Sequence, residues 1–357
     1  MSDSGTARIH SNSDGGLSGK HASADAFQLL VGPSTGNEFN TARLRLIPLA
    51  CWRVDDIRFD FDSSFVLPDI QDEMLLLANL IKDHTRKDPA TKSTQPPPIS
   101  IFGHADPVGR DDYNKFLSGR RAAAVYGMLT RRDEIWEDLF SNTAVFTQPV
   151  LGDKWGTRAI QIMLTNLGFP ATVDGEMGPE TRSQVQQFQT SKGLAADGDP
   201  GPATRKQMFL AYMDSVCVDD NGGAFQVDKQ SGFLARNDDP KGKGDFQGCG
   251  EFNSTLIFSQ QDNAIFEQSA DKTDRNAANA PNRRVVALLF RPGSVVVPAK
   301  WPCAGAKGGV KSCIDRFWSD GDKRRSTRLP DQPRKFEEKR DTFACRFYQR
   351  VSDESPW

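Results

Sequence analysis

Apolar and polar residues alternate in two stretches near the start of the chain, ARLRLIPLACW from Ala42 to Trp52 and IRFDF from Ile57 to Phe61. A period of two predicts half-buried strands. Asp62-Ser63-Ser64 form a turn, and Pro68 opens a helix in which Ile70, Met74, Leu77, Ala78 and Ile81 keep helical spacing. A charged, Pro-rich run from Lys87 to Pro98 leads back to a third strand, Ile99 to Phe102. Gly103 ends that strand, and His104-Ala105-Asp106 enter a turn shaped by Pro107 and Gly109. Asp111 and Asp112 then stand where carboxylates favour a helix start. The helix carries Leu117, Ala124, Val125 and Met128 on one stripe, and RRDEIWEDLF continues in helical pattern to a boundary near Thr143. The order to this point is β-α-β-α.

The segment from about Val150 to Met213 differs in kind. Asp174-Gly175-Glu176-Met177-Gly178-Pro179-Glu180-Thr181 returns as Asp197-Gly198-Asp199-Pro200-Gly201-Pro202-Ala203-Thr204. Each DGxxGPxT reads as a turn followed by a helix start, with Pro near the first helical position. Residues 214–245 are rich in Gly, Asp and Lys and are expected to form a loop. Apolar character returns with Gly248-Cys249-Gly250-Glu251 and with Asn282-Arg283-Arg284 before Val285-Val286-Ala287-Leu288-Leu289-Phe290. Residues 1–24 read as a Ser/Gly-rich disordered tail, and 293–357 as an extension of unassigned role.

The chemistry concentrates around the third strand and the helix after it. Asn114, Ser118 and Arg121 share one helical edge, and Asp106 sits at the strand end which that helix should approach. Arg121 lies on or beside the apolar stripe, so its guanidinium needs a partner there. The residues alone admit two readings: a strand-turn-helix closed by an internal Asp–Arg salt bridge, or a pocket with one carboxylate, one guanidinium and small polar groups between them.

The motif Gly103-His104-Ala105-Asp106, with Asn114, Leu117-Ser118 and Arg121-Ala122, resembles the signature of the OmpA-like peptidoglycan-binding domain. IRFDFDSSF resembles that family's opening strand, and GCGE and NRRVV its closing ones, with Cys249 in place of the usual aromatic and Val286 in place of a frequent Glu. The resemblance implies that Asp106 meets the ammonium and Arg121 clamps a carboxylate of diaminopimelate in the peptidoglycan stem peptide. Asn114, Ser118 and Gly103 would shape the pocket. The repeat segment, with Phe188-Gln189 and Gly193-Leu194, resembles the small three-helix peptidoglycan-binding domain 1. The expected fold is therefore α+β. An OmpA-like domain covers 25–144 and resumes at 246–292, a helical module is inserted at 145–215, a loop spans 216–245, and an extension carries cysteines.

Composition narrows the partners. A net charge of -2 gives no global attraction to nucleic acid or anionic membrane. Low mean hydropathy (-0.54) and the lack of a long apolar run predict no transmembrane segment. No apolar stretch of a secretory leader is visible in the first two dozen residues, so the expectation is the cell envelope or periplasm, or export by a non-Sec route, with a cytoplasmic location as the alternative. The six cysteines include no CxxC; Cys303 and Cys313 are close enough in sequence to form one of one or two disulfides. The four histidines, at 10, 21, 84 and 104, offer no zinc-hydrolase spacing, and Cys313 in KSCIDR has no imidazole near it in sequence. The expectation is a non-catalytic binder that needs no cofactor or metal. Two alternatives stay open: a wall-targeting hydrolase or effector whose catalytic part is the extension, and an interaction protein of a bacterial secretion or injection apparatus.

Overall fold

The computed structural model describes residues 48–141 and 153–310, apart from short gaps at 88, 90–91, 107, 154, 253–255, 258–263, 267, 269–271, 302, 304 and 306–307, and also the pair 340–341. The fold is α+β, built on a four-stranded sheet. Its strands are β1 (Pro48–Asp55), β4 (Ile99–His104), β5 (Phe246–Gly248) and β7 (Arg284–Phe290), in the order β1-β7-β4-β5. Among the described residues four two-residue strands lie outside it, in two pairs: β2 (Arg86–Lys87) with β3 (Thr94–Gln95), and β6 (Leu256–Ile257) with β8 (Arg340–Asp341). The helices are α1 (Gln71–His84), α2 (Asp111–Thr130), α3 (Asp133–Ser141), α4 (Thr157–Asn166), α5 (Pro179–Ser191), α6 (Pro202–Val216) and α7 (Thr273–Asn279).

β7 runs antiparallel to both β1 and β4, which makes it a central strand although it comes late in the chain. Its residues are all buried and divide by parity: Val285, Ala287 and Leu289 enter the larger core, while Val286, Leu288 and Phe290 enter a second one. A strand covered on both faces needs no polar side, which explains the unbroken apolar run. β1 at the edge alternates instead, burying Trp52 and Val54.

α2 crosses close to the sheet. A Cβ on Gly103 would lie 1.9 Å from the backbone oxygen of Ser118, and one on Gly248 would lie 2.6 Å from the backbone of Lys115 and Gly119. Glycine is required at both places to let the helix approach. Arg131 ends α2 in the left-handed conformation (φ 55°), a C-terminal stop that this sequence makes without glycine.

The three helices α4–α6 share the larger core with the sheet. Phe65 stacks on Tyr212 of α6 at 5.9 Å and meets Trp155 edge-on at 5.3 Å, while Trp136 of α3 meets Phe209 of α6 at 5.7 Å. The Tyr212 hydroxyl donates to Val66 O at 2.8 Å. Within the module the two repeated turns are each pinned by a glutamine. Gln161 Nε2 donates to Asp174 Oδ1, Glu176 O and Thr181 Oγ1 while its oxygen accepts from Gly175 N. Gln189 repeats the arrangement with Asp197, Asp199, Thr204 and Gly198.

Several expectations change here. Ile57–Phe61 is not a strand: the chain leaves the sheet at Asp56 through a 3-10 turn, Asp56–Arg58, and Phe59 makes only a bridge to Val66. The alternation that predicted a strand is real, with Phe59 inside and Ile57 and Phe61 outside, but β7 begins only at Arg284, opposite Asp55, and offers no further ladder. Residues 217–245 lack regular elements, yet Phe233, Leu234 and Ala235 are buried, and Ile99 exchanges backbone bonds with Gly232 and Leu234. The start of the extension is core, because Val296, Trp301 and Cys303 cover the sheet's second face with Phe102 and Phe252. Cys249 and Cys303 are both buried there; Cys313, with which Cys303 was expected to pair, Cys345 and the basic run at 323–325 lie outside the described residues. Among the described residues no helix is long and apolar enough to cross a membrane.

Candidate functional site

Asp106 emerges just beyond the carboxyl end of β4, in a turn held by its own side chain, which accepts from Val108 N at 3.0 Å. Its backbone oxygen receives Asn114 Nδ2 at 3.0 Å, so Asn114 fixes this turn onto the first part of α2. Behind Asn114 stands Glu251, 3.5 Å away and buried. Arg121 lies two turns further along α2 and is only 3% exposed. Its Nε donates to Ser63 O at 2.9 Å, its Nη1 to Asp56 Oδ1 at 2.5 Å, and its guanidinium carbon sits 4.9 Å from the centre of the Phe59 ring.

Asp106 and Arg121 are therefore not paired with each other. Asp56 and Arg283 stand between them. Arg283 Nε donates to Asp56 Oδ2 at 2.7 Å and Arg283 Nη1 to Asp106 Oδ2 at 2.6 Å. The result is a chain of alternating sign, Arg121–Asp56–Arg283–Asp106, with equal numbers of cations and anions. Burial works to raise the Asp56 pKa, but the two guanidinium groups outweigh it and hold the carboxyl below its ordinary value. Burial likewise works against the charge on Arg283, and its bonds to Asp56 and Asp106 more than restore it. The side chains of Arg283 and Asp56 keep 21% and 28% exposure, so solvent reaches the cluster through its middle members.

The other anticipated residues serve the framework. Ser118 Oγ donates to Lys115 O and accepts from Gly250 N at 2.8 Å, tying α2 to the segment after β5. Gly103 is the point of closest approach between β4 and α2. His104 is sealed at 1% exposure, with Nδ1 3.3 Å from Phe252 O. Burial, reinforced by nearby Arg284, pushes its pKa well down and keeps the ring neutral.

Sequence reasoning missed Asp56 and Arg283. The clue was the demand of Arg121 itself: a buried guanidinium needs an anion, and Asp55-Asp56 closes the first strand while Arg283 opens the last. The loop that receives Arg121 also reaches the helical module. Ser63 Oγ donates to Asp153 Oδ1 at 2.7 Å and Ser64 Oγ to Asp153 Oδ2 at 2.5 Å, while Arg120 lies 3.3 Å from the same carboxylate.

Residues 156–208 match the family described as "Putative peptidoglycan binding domain". This span covers α4, α5, both repeated turns and the first part of α6. The chain is also similar to two proteins named Outer membrane porin F. It is 36% identical to that of Pseudomonas fluorescens over 76 residues, which is 21% of this chain and 20% of the relative. To that of Pseudomonas aeruginosa it is 39% identical over 74 residues, 21% of this chain and 18% of the relative. The chain thus matches about a fifth of the length of these relatives. No solved structure matches it significantly.

Proposed function

We propose that the protein binds peptidoglycan without cleaving it and holds itself, or a partner attached to it, at the wall of the cell envelope. In this reading the sheet with α1 and α2 is an OmpA-like domain that recognises the diaminopimelate of the stem peptide, and the helical module adds a second wall contact. The observation that carries the reading is the alternating cluster Arg121–Asp56–Arg283–Asp106. A zwitterionic amino-acid end carries one ammonium and one carboxylate, and each can take over a half of an existing pair. The ammonium replaces Arg283 on Asp106, and the carboxylate replaces Asp56 on Arg121. Every charge keeps a partner through the exchange, so entry of the ligand leaves no buried ion bare. Guanidinium suits the role because its planar donors match a carboxylate in a two-point clamp. The match of residues 156–208 to a peptidoglycan-binding family supports the same polymer as ligand. Two contacts held in one rigid body raise apparent affinity when both reach the polymer together.

Co-sedimentation of the full chain with purified sacculi tests the proposal. The expected result is pelleting that falls sharply in Asp106→Asn and in Arg121→Lys, two variants that keep side-chain size. Equal pelleting of both variants and the unaltered protein would remove the cluster from the binding site, and release of soluble wall fragments would show catalysis.

A further inference from the structure

At the opposite end of β4 from Asp106 lies a cavity of about 590 Å³, within the range of small-ligand sites. The six-residue strand separates it from the charge cluster by roughly 17–20 Å. Its walls come from three distant parts of the chain: the Pro-rich loop before β4, the packed segment 230–238, and the turn after β7 at Gly293-Ser294. These parts are fixed to one another. Ile99 N donates to Gly232 O at 2.9 Å, Phe290 N to Pro98 O at 2.9 Å, and Val296 N to Leu234 O at 3.0 Å. The cavity is therefore built by the fold rather than left at the edge of a loose loop.

Ser294 is the informative residue. It lines this cavity, is 3% exposed, and its hydroxyl has no hydrogen-bond partner. A buried hydroxyl without a partner costs about 1–3 kcal/mol, and this one is sealed within the wall of the cavity, so a ligand reaches it once the side chain turns toward the opening. The remaining lining is mixed in a particular way. Gln95, Gln230, Thr94 and Ser231 bring neutral amides and hydroxyls, and Pro98 and Phe233 give apolar surface. Arg236 and Asp238 add one positive and one negative group, which cancel. A phosphate or nucleotide would find no net positive field there. A purely apolar ligand would leave the amides and hydroxyls unpaired.

The geometry points to a saccharide site, distinct from the charge cluster, which takes a short run of N-acetylated sugars. Sugar hydroxyls donate and accept at once, as the side-chain amides and hydroxyls require. The ring's C–H face lies on the proline and phenylalanine surface. Arg236 donates to the acetamido oxygen, and the Ser294 side chain turns toward the ligand so that its hydroxyl gains its missing partner.

Calorimetric titration of the full chain with the β-1,4-linked N-acetylglucosamine tetrasaccharide decides this. The peptide-free probe makes the outcome independent of Asp106 and Arg121. The expected result is saturable binding that weakens at least tenfold in Arg236→Gly and in Ser294→Ala. Glycine suits position 236, where φ is +56°, so that variant keeps the local backbone. If Ser294 were only structural, Ser294→Ala would leave binding unchanged. Absence of binding, or affinity unaltered in both variants, overturns the proposal.

Discussion

The guanidinium of Arg283 bonds Asp106 at 2.6 Å, the contact that a ligand ammonium must replace in the proposed recognition. The same guanidinium bonds Asp56 at 2.7 Å, and Asp56 in turn holds Arg121. The unliganded cluster is thus self-satisfied, and binding is an exchange of partners instead of the filling of an open slot. Such an exchange is sensitive to ionic strength only where solvent reaches it, at Asp56 and Arg283.

Removing the Asp56 charge strands Arg121, whose side chain is 4% exposed. Asp56→Asn is expected to cost roughly 2–4 kcal/mol, the scale of a broken, largely buried ion pair. Denaturant unfolding measures it. The Asp56 pKa is depressed in the folded protein, so its contribution to stability is present above the ordinary carboxylate pKa and is lost as pH falls through the depressed value. Asp56→Asn therefore also lessens the loss of stability below about pH 4.

Asp245 works in the opposite sense. Burial pushes its pKa to about 7, although it accepts from Ala235 N and Asn237 N, and Asp238 and Asp239 add to the rise. A raised folded-state pKa means that the folded protein holds a proton the unfolded chain has given up. The stability from Asp245 is present below the ordinary carboxylate pKa and declines as pH rises to about 7. Asp245→Asn should flatten stability between about pH 4 and pH 7, read from melting temperature against pH.

The helical module and the sheet should melt together. Phe65, Trp136, Trp155, Phe209 and Tyr212 interlock across the two parts. Calorimetry is expected to show one transition, and Phe209→Ala, about 3–5 kcal/mol destabilising, should lower that single transition without splitting it. Two separated transitions would mean that the module is independent of the sheet.

Gly103→Ala places a methyl 1.9 Å from the backbone oxygen of Ser118, where no flexible side chain can move aside. The expected cost is about 3 kcal/mol or more, seen in chemical denaturation. Binding lost in this variant would follow from the displaced helix, since Gly103 is the point where β4 and α2 approach most closely.

Much of this was legible along the chain. Period-two alternation marked β1, and the resemblance at NRRVV marked the closing strand, although its burial on both faces emerged only from the structure. The repeated DGxxGPxT marked the starts of α5 and α6; of the glutamines that pin the two turns, Gln189 stood out only as part of the Phe188-Gln189 motif and Gln161 shows no signal of its own. The segment Ile57–Phe61 misled because alternation records which side chains are inside, not whether a neighbouring strand remains to pair with. The charge cluster was half legible. Asp106 and Arg121 sit close in sequence on one strand-turn-helix unit, whereas their partners Asp56 and Arg283 come from 227 residues apart and meet only because β7 returns between β1 and β4.

The most direct measurement is a titration of the full chain with a tripeptide that ends in meso-diaminopimelate, followed by calorimetry. The account predicts saturable one-to-one binding that is lost when lysine replaces the terminal diaminopimelate and weakens at least tenfold in Asp106→Asn. Equal affinity for both peptides, or binding untouched in Asp106→Asn, would contradict it.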